Sequence, residues 1–128
     1  MIIINFARPL TNENLHQLEM MLDEIVERVI TVPVQLNLQV DLIGQVRALT
    51  DQIDLTSQQW YEEYIIVNPP EHNVITAIVL VELYGHMAYF PSMIHMLPVK
   101  NAMSPKFEVA GVIDLAAVFD QTPGSNAE

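Results

Sequence analysis

Two runs of consecutive aliphatic residues, Ile2-Ile3-Ile4 and Ile65-Ile66-Val67, each closed by an asparagine (Asn5 and Asn68), constrain this chain more than any other feature. Runs this short, apolar at every position instead of alternating, suit strands buried on both faces. A sheet made of such strands needs helices above and below it, and the segments between the runs carry that helical pattern.

The first strand is expected over Met1–Phe6. Thr11 then offers a helix N-cap with Glu13 in the first turn, and Leu15, Leu18, Leu22, Ile25 and Val29 follow at helical spacing, with Arg28 near the helix end. Val29–Leu36 is rich in β-branched residues and reads as a second strand, where Pro33 marks an edge or a bulge. A helix is expected over Asp41–Gln52, burying Leu42, Val46 and Leu49. A short one follows over Thr56–Glu62, with Thr56 and Gln59 spaced as a capping box. After the third strand, Tyr64–Asn68, a helix is expected from Glu71 to Tyr84, stopped by Gly85. Met93–Val99 and Phe107–Leu115 read as two strands whose link is too short for a helical crossover, hence a hairpin.

The order β-α-β-α-β-α-β-β predicts an α/β fold: a single Rossmann-like three-layer domain over residues 1–120, with a mostly parallel sheet of about five strands and a C-terminal antiparallel hairpin. Residues 121–128 (Gln-Thr-Pro-Gly-Ser-Asn-Ala-Glu) read as a disordered tail. Met20, Met21, Met87, Met93 and Met96 read as adaptable core. Gly85–Phe90, with Trp60 and Tyr61, reads as an apolar contact between subunits.

Sixteen acidic against five basic residues give a net charge of −11. That excludes a duplex-DNA partner, whose binding rests on neutralising many phosphates. A small phosphorylated ligand needs only helix-start N–H groups and one or two cations. No apolar run approaches the ~20 residues of a membrane span. No basic leader precedes Ile2, and the chain has no cysteine. A cytoplasmic location is the plain expectation.

Ligands of open α/β sheets gather at the carboxyl ends of the strands. This selects Asn5, Phe6, Ala7, Arg8, Pro9, Leu10 and Thr11 after the first strand. It adds Asn68, Pro69, Pro70 and His72 after the third, and Lys100 and Asn101 after the fourth. Pro9 and Thr11 start a helix whether or not a ligand binds. The functional reading adds free N–H groups and the Thr11 hydroxyl for a phosphate, with Arg8 closing over it and the Asn68 amide reading a base edge or sugar hydroxyl. Neither turn carries a Gly-rich dinucleotide fingerprint or a phosphate-loop Gly-Lys-Ser/Thr, so no cofactor is implied. His16 reads as surface and His95 as a structural strand residue; no histidine pair has metal-ligand spacing, and no metal site is expected. No catalytic residue is assigned, because no serine has nucleophile context and no acid–base pair stands out.

The segments Met1–Phe6, Arg8-Pro9-Leu10-Thr11, Arg28–Gln35, Gln45–Leu49, Leu55-Thr56 with Trp60, Val67–Pro70, Glu82–Met87 and Pro91 together resemble the CRISPR-associated Csx-fifteen family. The resemblance extends to about Leu115. It implies a small relative of the CARF domains found beside type III CRISPR systems, which binds cyclic oligoadenylate, cyclic tetra-adenylate in particular, as a homodimer or larger homo-oligomer. It also implies lowering of that messenger by sequestration or by slow ring cleavage, as in ring nucleases. The family pattern carries a Ser-His pair where this chain has Ala7-Arg8, a departure that bears on cleavage more than on binding. Two other readings stand beside it: a non-catalytic interaction module of a CRISPR complex, and an enzyme of ordinary mononucleotides.

Overall fold

A computed structural model describes residues 1–126. Its five-stranded sheet has the order β2-β1-β3-β4-β5, built from β1 (Ile2–Asn5), β2 (Arg28–Thr31), β3 (Ile65–Asn68), β4 (Ser92–Pro98) and β5 (Phe107–Asp114). The first four strands run parallel, and β5 returns antiparallel to β4. The expected α/β architecture and its closing hairpin are therefore present.

The two aliphatic runs form the central strands, and all four residues of both β1 and β3 are buried. Alternate side chains serve opposite layers. Ile2, Ile4, Ile65 and Val67 face α2 (Leu42–Asp51), α3 (Ser57–Glu62) and α4 (Asn73–Met87), where Val46, Trp60, Val79 and Leu83 complete that core. Ile3 and Ile66 face α1 (Asn12–Leu22), where Leu18, Ile94 and Val109 form the second core. At roughly 25 cal/mol per Å² of apolar surface removed from water, these two layers supply most of the driving force.

Local chemistry sets the element ends. The Thr11 hydroxyl accepts from Asn14 N, and the Asn14 side chain accepts from Thr11 N, closing a capping box at α1. Asn14 also donates to Phe107 O at 3.0 Å, so the same buried residue starts α1 and ties it to β5. Gln17 extends the tie by accepting from Val109 N. Thr56 and Gln59 form the capping box expected at α3.

Several expected boundaries move. Helix α1 stops at Asp23, whose left-handed backbone (φ 51°) an aspartate tolerates. Ile25 is therefore an exposed loop residue, and Arg28 and Val29 open β2 instead of closing the helix. Strand β2 ends at Thr31; it is the edge strand, and Pro33 lies beyond it. Gly85 sits inside α4, which continues to Met87 and turns at Ala88 (φ 64°). Met87 and Trp60 are buried in the core, which removes both from the expected subunit contact, while Tyr61 is exposed. Met20 and Met21 are exposed as well, so neither belongs to the core.

The end of the expected last strand, from Leu115, is a further short helix, α5 (Leu115–Asp120), capped by Asp114. Phe119 of α5 meets Phe90 (5.7 Å between centroids), which in turn meets Tyr84 (4.7 Å). Pro123–Asn126 forms a 3-10 turn, and residues 127 and 128 of the expected tail lie outside the described residues. Helix α4 is apolar on both its inner and its outer face. Ile75, Val79, Leu83 and Met87 face the core, whereas Val74, Val81 and Tyr84 face outward and exposed. Among the described residues, no helix is long and apolar enough to cross a membrane.

Candidate functional site at the carboxyl edge

Strand order 2-1-3-4 places the topological switch between β1 and β3, since the chain leaves β1 toward β2 and leaves β3 toward β4. The two strand-ending asparagines meet there. They sit in register, and Phe6 N donates to Asn68 O at 2.9 Å just beyond them.

Their amides are oriented by backbone groups whose donor or acceptor character is fixed. Ala7 N donates to Asn5 Oδ1 (3.0 Å), and Asn5 Nδ2 donates to Arg8 O (3.0 Å), which sets the Asn5 amide. The atom of Asn68 facing Asn5 Oδ1 at 3.0 Å must then be the donor Nδ2. Asn68 Oδ1 consequently turns the other way, where no protein donor among the described residues reaches it. Among the described residues no fully buried side-chain polar atom lacks a partner, so this oxygen keeps some contact with solvent although Asn68 is buried, and Asn68 lines the first pocket.

That pocket has a volume of about 380 Å³. Its floor is Ala7, Asn68, Pro69 and Pro70, and Met93, His95, Met96, Phe107 and Ile113 form a largely apolar wall. Part of that wall exists because β4 extends past the end of β3: Val67 pairs with Met93, so everything from His95 onward overhangs the sheet edge. A second pocket, of about 450 Å³, lies on the other side of Arg8 and is lined by Phe6, Val34, Leu36, Leu38, His72 and Ile75. The two share Ala7, Arg8, Pro70 and Glu71.

Arg8 is thus the ridge between two cavities, each within the size range of small-ligand sites. Its guanidinium carbon lies 3.9 Å from the Phe107 ring centroid, and its Nε donates to Glu71 at 2.8 Å. The hydrogen bond to Glu71 raises the Arg8 pKa and holds the Glu71 carboxyl below its ordinary value. Neither terminal nitrogen of Arg8 has an acceptor among the described residues, which leaves one edge of the fork available to an oxyanion. The other cations are placed elsewhere. Arg28 pairs with Asp54, Arg47 with Glu82 and Lys106 with Glu13. Lys100 and Asn101, expected at the site, form the tip of the β4–β5 hairpin outside both pockets.

The residues selected from the sequence therefore divide. Ala7, Arg8, Asn68, Pro69 and Pro70 converge on the first pocket, Phe6 lines the second, and Asn5 lies beneath as a brace. Pro9 and Thr11 line neither, and the Thr11 hydroxyl is occupied in capping α1. His72 caps α4 through Nδ1 at 3.2 Å from Ile75 N. Proline at positions 9, 69 and 70 removes backbone donors and Ala7 N is already bonded, so few N–H groups of these turns are left for an anion. What they offer is one guanidinium, one amide oxygen that no protein donor among the described residues reaches, and apolar walls.

Glu71, Phe107, Met93 and His95 also line the first pocket, although the sequence did not select them for the site. Only Glu71, directly after Pro69-Pro70, was accessible from local position; the others reach the site through the hairpin. No family model, curated protein or solved structure matches this chain.

Proposed function

We propose that this chain binds a cyclic oligoadenylate, cyclic tetra-adenylate in particular, as a cytoplasmic homodimer, and thereby lowers the free level of that messenger in type III CRISPR antiviral signalling. The observation that carries the reading is the pair of adjoining nucleotide-sized pockets with Arg8 on the ridge between them. One nucleotide in each pocket lays the linking phosphodiester across Arg8. Two-fold pairing doubles two nucleotides to four and brings a second Arg8, which matches a four-membered ring.

The chemistry of the walls suits the bases. Met93, Phe107 and the prolines offer flat apolar surface, and Asn68 Oδ1 accepts from an exocyclic amine such as that of adenine. Pairing has an available surface in the outward apolar face of α4, where Val74, Val81 and Tyr84 are exposed beside Phe119. That face also supports a second reading, an interaction module docking on another protein of a CRISPR complex.

Sequestration needs nothing beyond this. Cleavage would require a ribose 2′-hydroxyl held in line with its phosphate while Arg8 steadies the developing charge. The test is calorimetric titration of cyclic tetra-adenylate into the wild type and Arg8→Ala, followed by chromatography of the nucleotide over hours. Arg8→Ala is expected to lose at least about tenfold in affinity, as for a charge-assisted contact. An intact ring marks a sequestering protein, and linear di-adenylate marks a ring nuclease. Equal affinity of the two proteins would remove Arg8 from the site.

A further inference from the structure

The carboxylate at the ridge is unexpected where a polyanion is to bind. Glu71 is more than half exposed, as is much of Arg8, so the pair contributes little to stability on its own. Its placement is informative instead. The single bond from Arg8 Nε to Glu71 leaves the terminal nitrogens outward, and the Phe107 ring holds the guanidinium plane from another side. Glu71 therefore fixes the direction of the fork and at the same time cancels its charge.

We infer that Glu71 is a specificity-determining residue that admits internal phosphodiesters and rejects terminal phosphates. This rests on the nucleotide-binding reading of the same site. A phosphodiester brings one negative charge to an Arg8–Glu71 pair that is neutral, and two fork N–H groups receive it. A terminal phosphate brings between one and a half and two charges. The surplus faces the Glu71 carboxylate within a chain of net charge −11, and like-charge juxtaposition of this kind disfavours the wrong ligand. Ligands closed on themselves have no terminal phosphate, whereas linear oligoadenylates with a 5′-phosphate, AMP and ATP all do. A linear ligand is disfavoured in every register that puts its terminal phosphate on Arg8, whereas a ring has no such register.

Glu71→Gln separates the two effects of the residue, because the Gln carbonyl still accepts from Arg8 Nε while the charge is gone. Glu71→Ala removes both. The probes are cyclic tetra-adenylate and linear tetra-adenylate carrying a 5′-phosphate, titrated into the wild type and each variant at low and at near-physiological salt. The wild type is expected to prefer the ring. In Glu71→Gln that preference narrows about fivefold, mainly through better binding of the linear probe, and the narrowing shrinks with added salt as a screened charge effect must. Glu71→Ala loses affinity for the ring as well, because Arg8 is no longer aimed. An unchanged preference in Glu71→Gln, with the wild type binding the ring, overturns the selector and leaves the site standing. Failure of the wild type to bind the ring overturns the site itself, and the selector with it.

Discussion

Asn68 Nδ2 donates to Asn5 Oδ1 across 3.0 Å, joining the carboxyl ends of two neighbouring parallel strands beneath the candidate site. Asn5 is almost wholly buried and serves Asn68, Ala7 N and Arg8 O together. Replacing it with Ala leaves those groups without their partner. Asn5→Ala should cost about 1–3 kcal/mol in chemical denaturation, the range for an unsatisfied buried polar group. A loss within a few tenths of a kcal/mol would show that water replaces the side chain freely.

The Arg8–Glu71 pair makes a pH prediction. Arg8 lowers the Glu71 pKa, so the folded state holds this proton less tightly than the unfolded chain does. The contribution is present above the ordinary carboxylate range and is lost as pH falls through the lower folded value. The stability difference between wild type and Glu71→Gln should therefore be small but measurable at neutral pH, and should fade between about pH 5 and pH 3. A difference that grows on acidification would contradict the assignment.

Trp60, the chain's one tryptophan, is buried and stacks on His86 (4.8 Å between centroids, 18° between planes). His86 also reaches Asp51 at 3.4 Å, closing α2, α3 and α4 against one another. His86→Ala should destabilise by about 1 kcal/mol and shift Trp60 emission to longer wavelength as water reaches the ring. Emission unchanged in the variant would mean that the neighbours repack over Trp60.

The outward face of α4 tests the pairing. Val81→Glu places a charge at the middle of an exposed apolar stripe and touches nothing in the core. If two copies meet there, light scattering should show the wild type as a dimer and the variant as a cooperatively folded monomer, whose denaturation midpoint no longer rises with protein concentration as that of a dimer does. A wild type that stays monomeric at all concentrations would contradict the pairing.

The central strands and their ends were legible because an aliphatic run before an asparagine has few alternatives, and the β-α alternation then dictated a mostly parallel sheet. The capping box at Thr56–Gln59 was legible for the same local reason. Two errors came from signals that tertiary context overrode. Ile25 and Val29 continued the spacing of α1, although Asp23 ends the helix through its backbone conformation. Gly85 read as a stop, but α4 runs through it and packs Met87 into the core. The pocket was half legible. The turns after β1 and β3 follow from the strand ends, whereas the Phe107 and His95 part of the wall depends on how far β4 overhangs β3, a matter of register.

The most direct test of the central claim is calorimetric titration of cyclic tetra-adenylate into the wild-type protein, with the mass of the complex measured on the same sample. Saturation is expected at half a ring per chain, with a complex of two chains and one ring. No heat and no complex with this ring, or with rings of other sizes, would contradict it.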